Sequence, residues 1–263
     1  MDMNLKGKKA FISGSTQGIG FEIAQALIAE GASVTINGRN ESRVENAAAR
    51  LRATAPGSTV SGIAADFADH AQVTGLLAQL EEVDILVNNV GLFDLAQFQD
   101  TTNDDWQRYW DVNVMSGVRL SRQVMTGMLT RNWGRIIFIG SESGVNVPAD
   151  MIHYGATKAA LLGMSNGLAK LTRGTEVTVN TILGGPTYSD GVASTISRIA
   201  AAQGIATDDL KAAIIGGNQT SLLERFISPR EIANLALYLA SPLSSATNGA
   251  ALRADGGVLT GTL

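Results

Sequence analysis

Short apolar runs alternate with longer amphipathic stretches along the chain, and this alternation leaves little freedom in the fold. The runs 9–13 (KAFIS), 33–37 (SVTIN), 59–64, 83–87 (VDILV), 135–140 (RIIFIG), 177–183 (VTVNTIL) and 250–253 read as strands. Helical patterns fill 19–29, 41–53, 70–80, 106–129, 154–172 and 229–239, the last opened by Pro229 in the position proline favours at a first helical turn. Strands that alternate with helices pair in parallel through right-handed crossovers. A sheet covered by helices on both faces is built from continuous apolar runs, as here. The expected architecture is α/β: a single-domain, doubly wound Rossmann fold over 1–263, with a parallel sheet of about seven strands. A polar, helix-rich insert at about 187–226 interrupts the alternation.

Composition narrows the chemistry. The 263 residues include no cysteine, which excludes a disulfide scaffold, a thiolate nucleophile and any cysteine-built metal site. Two histidines, His70 and His153, leave little for a histidine-built metal centre, so no metal is expected. A net charge of −4 gives no broad attraction to nucleic acid. The N-terminal stretch MDMNLKGKKAFISG lacks the apolar core of a signal peptide. No apolar run reaches the ~18 residues of a membrane span. These features read as a cytoplasmic enzyme with no membrane partner.

The first strand runs straight into Ser13-Gly14-Ser15-Thr16-Gln17-Gly18-Ile19-Gly20 and then a helix. Glycines there let the backbone approach a pyrophosphate, whose charge sits at the helix N-terminus. The spacing G-x-x-x-G-x-G is a variant of the commoner dinucleotide fingerprint, and a ligand-free glycine turn is its other reading. The second strand ends Asn37-Gly38-Arg39, where a site for NAD usually places an acid on the ribose hydroxyls. Gly38 removes that carboxylate and Arg39 can grip a phosphate in a bidentate fork, which points to NADP(H); a solvated surface arginine is the alternative. Gln17 supplies no second cation from the glycine turn. Asp66, after the third strand, is placed either to accept from the adenine amino group or to cap a helix.

Tyr154 and Lys158 stand four apart in YGATK, on one face of a helix. A free tyrosine, with a pKa of about 10, is a poor acid–base catalyst at neutral pH. A neighbouring ammonium favours the phenolate and is expected to bring that value down. Ser141 follows the strand RIIFIG, at the strand end where open α/β sheets hold ligands. His153 adjoins Tyr154, but adjacent helical residues diverge by about 100°, so it is expected behind the site.

Taken together, Gly14, Gly18 and Gly20, then Asn88-Asn89-Val90-Gly91, Asn113, Ser141, Tyr154 and Lys158 resemble the short-chain dehydrogenase/reductase family, across essentially the whole chain. The ending, from Pro229-Arg230-Glu231 through Asp255-Gly256-Gly257, is similar too. The resemblance implies a catalytic tetrad of Asn113, Ser141, Tyr154 and Lys158. It implies reversible reduction of a ketone by hydride from the nicotinamide, with Tyr154 as general acid and Ser141 holding the carbonyl oxygen. Lys158 would bond the nicotinamide ribose and tune Tyr154, and Asn113 would fix a water linking Lys158 to solvent. Cofactor contacts would come from Gly14, Ser15, Gln17, Gly18, Ile19, Gly20, Arg39, Asp66, Asn89, Gly91, Tyr154 and Lys158. Gly184 stands where the family usually has proline, while Thr187 and Ser189 match positions that bond the carboxamide. The insert at 187–226 occupies the family's substrate-lid position.

Three functions follow from these residues. The first is NADPH-dependent reduction of a small or medium ketone. The second is 3-oxoacyl-carrier-protein reduction; Arg131 and Arg135 are candidate docking cations, but Gly174-Thr175-Glu176 lacks the arginine such reductases often carry. The third is an inactive cofactor-binding regulatory protein, against which the intact tetrad argues. Relatives pair the helices corresponding to 106–129 and 154–172 in a homotetramer, and Gly155, Ala156, Ala159, Ala160, Gly163 and Gly167 are small enough for close helix approach.

Overall fold

In the computed structural model, which describes residues 2–217 and 220–262, the apolar runs form strands β1 (Lys9–Ile12), β2 (Ser33–Gly38), β3 (Val60–Ala64), β4 (Ile85–Asn88), β5 (Trp133–Ile139), β6 (Glu176–Gly184) and β7 (Ala251–Ala254). They join in one parallel sheet of order β3-β2-β1-β4-β5-β6-β7. The helices are α1 (Gly18–Ala29), α2 (Glu41–Thr54), α3 (His70–Gln79), α4 (Asn103–Tyr109), α5 (Ser116–Thr130), α6 (Ile152–Lys170), α7 (Asp190–Gln203), α8 (Thr207–Gly217) and α9 (Pro229–Ala240). None of the described helices is long and apolar enough to cross a membrane.

Each strand serves two cores because successive side chains point to opposite faces. Ile12, Ile36, Ile85, Val87, Ile137 and Ile139 pack with α1, α2 and α9 on one face. Phe11, Leu86, Ile136, Phe138 and Val179 pack with α3, α5 and α6 on the other. The strand order reverses between β1 and β4, where Ile12 lies in register with Val87. At that switch point the crossovers diverge to opposite faces and leave a crevice beyond the strand ends.

The expected helix over 106–129 is not a single α-helix. A π-helical turn, Trp110–Met115, separates α4 from α5, and it carries Asn113. The expected strand 83–87 begins at Ile85, with Asp84 at its entry bonded to the backbone of both neighbours: its N–H donates to the Lys9 carbonyl at 2.8 Å and its carbonyl accepts from the Arg135 amide at 2.9 Å. The helix following β3 is capped by Asp69, whose carboxylate accepts from the Ala71 and Gln72 amides; Asp66 does not cap it. The insert folds into α7 and α8.

Candidate active site

The glycine turn is fixed from both neighbouring strands. The Asn89 amide group donates to the carbonyls of Ser13 and Gly14 at 3.0 and 2.8 Å. The Gly14 N–H donates to Asn37 Oδ1 at 3.1 Å. Gly14 and Gly18 hold φ of 61° and 60°, the left-handed region that favours glycine. Gly20 is needed for space instead, since a Cβ there would come within 2.6 Å of Asn89 Nδ2 and 2.7 Å of the Gly14 carbonyl. It lets α1 approach the turn and lines no part of the cavity. Ser15 also departs from the expected cofactor contact. Its buried hydroxyl donates to the Ile12 carbonyl at 2.7 Å and accepts from the Asn37 amide at 3.0 Å, so its side chain belongs to the fold.

A cavity of about 550 Å³ runs from this turn to α6. One end is bounded by Thr16, Gly38, Arg39, Asn40, Arg43 and Asp66, and the other by Asn89, Gly91, Tyr154, Lys158 and Ser189, with Gln17, Gly18 and Ile19 between. Arg43 is the second cation that the glycine turn lacks. It follows Arg39 by four residues, and Asn40, the α2 cap, accepts from its amide at 3.0 Å. Both arginines line this end of the cavity while Glu41, between them in the sequence, does not, and two guanidinium groups there suit an anion. Asp66 lines the same end, its Oδ1 accepting from the Ala68 amide at 3.0 Å. The start of α1 has no side-chain cap from Gln17 and no acidic residue in its own first turn, so its main-chain N–H groups are of the kind that bind phosphate oxygens. A Cβ on Gly91 would stand 3.6 Å from Lys158 Nζ and 3.7 Å from Asn113 Oδ1, so glycine keeps that end clear. The size, the paired cations and the open helix terminus fit a phosphorylated dinucleotide.

At the far end the tetrad residues converge. The Ser141 hydroxyl stands beside the Tyr154 phenol, close enough to influence its titration, and accepts from the Ser143 amide at 3.1 Å. Lys158 is buried, donates to the Ile139 carbonyl at 2.8 Å and has its nitrogen 5.6 Å from the Tyr154 ring centre. Asn113 is closed on itself: Oδ1 accepts from the Leu92 amide at 2.7 Å, and Nδ2 donates to the Leu92 carbonyl and to Thr157 Oγ1, both at 3.0 Å. It ties the π turn, the segment after β4 and α6 together.

The expected lowering of the tyrosine pKa is not what the free protein shows. Burial pushes the Tyr154 phenol up to about 12, with the neighbouring Ser141 hydroxyl acting in the opposite direction. Burial also brings Lys158 down to about 8. The low-dielectric surroundings penalise both charged forms, and this outweighs any attraction between ammonium and phenolate.

His153 faces away from the chemistry. Its ring centre lies 4.1 Å from Tyr109 and 6.3 Å from Trp106, as its place beside Tyr154 on a helix requires. Thr187, an expected carboxamide contact, is buried with its hydroxyl donating to the Gly185 carbonyl at 2.9 Å. Ser189 lines the cavity and caps α7.

A family model described as short chain dehydrogenase matches residues 8–200. The uncharacterized oxidoreductase YvaG of Bacillus subtilis is 42% identical over 260 residues, covering 98% of both chains. The 3-oxoacyl-[acyl-carrier-protein] reductase FabG of Salmonella typhimurium is 32% identical, covering 97% of this chain and 99% of its own. Among solved structures, L-sorbose reductase from Gluconobacter frateurii, complexed with NADPH and L-sorbose, superposes with a TM-score of 0.93 at 31% identity, covering 99% of this chain and all of its own.

Proposed function

The chain belongs to the short-chain dehydrogenase/reductase family, and on that premise we propose that it reduces a small ketone to a secondary alcohol, reversibly, with NADP(H). The observation that carries the reading is the meeting of Tyr154, Ser141 and Lys158 at one end of a cavity whose other end holds Arg39 and Arg43. The paired arginines would take the 2′-phosphate, and the glycine turn the pyrophosphate. The cofactor supplies the hydride that reaches the carbonyl carbon. Tyr154 gives its proton to the carbonyl oxygen, which Ser141 holds by hydrogen bonding. A phenol with a pKa of about 12 stays protonated through the neutral range, which suits an acid in the reducing direction. Lys158 is charged below about pH 8 and is placed to bond ribose hydroxyls. Because both Asn113 Nδ2 protons are already used, a water linking Lys158 to solvent would rest on the second lone pair of Asn113 Oδ1 or on the main chain of the π turn.

The substrate we propose is a free ketone rather than a carrier-bound one. The two candidate docking arginines are already engaged. Arg135 is buried and donates to the carbonyls of Ser241, Gly134 and Glu176. Arg131 pairs with Glu82 at 3.2 Å and Asp84 at 3.6 Å. Likeness to the L-sorbose reductase structure supports a hydroxylated ketone. A homotetramer in the cytoplasm completes the proposal, with α5 and α6 as the pairing helices. The test is NADPH oxidation against ketones, keto esters, keto sugars and acyl thioesters, the last with and without carrier protein. Free ketones should be reduced at least as well as the thioesters. A large gain on carrier attachment, lost at high salt, would replace this reading with the carrier-protein one, and no turnover on any of them would favour the inactive regulatory protein.

A further inference from the structure

The open N-terminus of α1 is not without an anion. The Gly18 N–H donates to Asp190 Oδ2 at 2.7 Å, across 172 residues of sequence. Asp190 is the first residue of α7, the helix at the root of the insert. The insert is seated close: a Cβ on Gly18 would lie 3.4 Å from the Ser189 Cβ. Both Gly18 and Ser189 line the dinucleotide cavity.

We propose that Asp190 is an internal latch: its carboxylate occupies the amide that the cofactor's pyrophosphate needs, and cofactor binding must expel it. The inference rests on the NADP(H) reading of the cavity and adds a residue that reading does not use. A carboxylate at a helix N-terminus gains from the same oriented N–H dipoles that bind phosphate. One amide cannot serve two anions at hydrogen-bond distance, since the second meets the repulsion of the first. Because Asp190 heads α7, its departure moves the root of the lid. Cofactor entry and lid release are then a single event. By reciprocity, whatever holds the lid on the glycine turn weakens cofactor binding by the same factor.

The experiment is calorimetric titration of NADPH into the wild type, Asp190→Asn and Asp190→Ser, at low and high salt, without substrate. Asp208→Asn is the control for net charge, because Asp208 lies on α8 with its side chain 90% exposed. Loss of one competing charged hydrogen bond should tighten NADPH binding about tenfold at low salt in both Asp190 variants. The gain should shrink at high salt, and the control should match the wild type. Hydrogen exchange in the cofactor-free protein supplies a second readout: amides at the start of α7 should exchange faster in the Asp190 variants. Wild-type binding with equal or weaker binding by both Asp190 variants overturns the latch, as does an equal gain in Asp208→Asn. Failure of the wild type to bind NADPH overturns the cofactor reading instead.

Discussion

Replacing Lys158 by methionine tests the electrostatics of the site through stability rather than turnover. Lys158 is 5% exposed, and burial lowers its pKa from the ordinary 10.5 to about 8. The unfolded chain therefore holds this proton more tightly than the folded one. Below about pH 8 the buried ammonium costs stability in full, and the cost fades as pH climbs toward 10.5. The gap between the two values amounts to about 3 kcal/mol, of which about 2 kcal/mol is relieved between about pH 7 and about pH 9.5. The Tyr154 phenol, at about 12, stays protonated across that window. Methionine fills similar space without a charge, but it leaves the Ile139 carbonyl without the bond that Lys158 now donates. That loss, about 1–3 kcal/mol, does not vary with pH. The difference in stability at a single pH is thus ambiguous, whereas its pH dependence is not. Urea unfolding of both proteins, cofactor-free and at one protein concentration, should show the wild type gaining about 2 kcal/mol on Lys158→Met over the window. Parallel profiles would show that Lys158 is not held at a lowered pKa, and the argument from burial would fail.

Tyr154→Phe keeps the ring but removes the proton donor, so turnover should fall by at least ~10²-fold, with the NADPH Kd nearly unchanged by titration. Arg39→Leu should lower kcat/KM for NADPH relative to NADH, and Arg43→Leu should lower it further. Gly38→Asp, which places an acid at the strand end, should impair both cofactors by itself, because its Cβ would meet the Thr16 methyl at 2.5 Å; adding Thr16→Ala should restore NADH use, as the same ratio of kcat/KM would show. Gly163 has nothing within 4 Å of where its Cβ would be, so Gly163→Leu should leave the circular dichroism and melting of the folded chain intact while reducing the tetramer mass seen by light scattering.

What the sequence disclosed depended on whether a residue's role is local. The strand runs and the order of crossovers were legible because parallel strands buried on both faces are predominantly apolar. Asn89 and the glycines were legible as a motif, but the division of labour among them was not. Gly14 and Gly18 supply backbone conformations, whereas Gly20 supplies room for Asn89 and the Gly14 carbonyl. Ser15 reads as a ligand contact until the Ile12 carbonyl and Asn37 amide are seen to claim its hydroxyl. The π turn leaves no mark in the sequence because one wide turn barely disturbs a helical period over 106–129. Arg43 was within reach: Asn40 is a recognisable helix cap, and a residue three beyond it falls in the first turn, beside the strand end. The small residues of α6 read as one interface stripe, yet Gly155 packs inward, where a Cβ would come within 2.5 Å of Val147 and 2.8 Å of the Ser143 carbonyl.

The direction of the Tyr154 pKa exposes a more general limit. Spacing places an ammonium near a phenol, and from spacing alone the charge interaction looks decisive. Its sign is nevertheless set by how much water reaches the pair, which depends on β4, β5 and the π turn closing around α6. Asp190 meets Gly18 for the same kind of reason: β1 and β6 end on one side of a parallel sheet, so the segments following them converge although 172 residues separate the two. Parallel order thus gathers the ends of β1, β4, β5 and β6 at one crevice, and this fixes where the chemistry stands. It does not fix the partners beyond the strand ends, in 92–112 and 187–226. Phe93, Arg108 and Gly191 line the cavity from those segments, and no sheet register constrains them. Substrate choice is therefore expected to change by substitution there, with the tetrad and both arginines left in place.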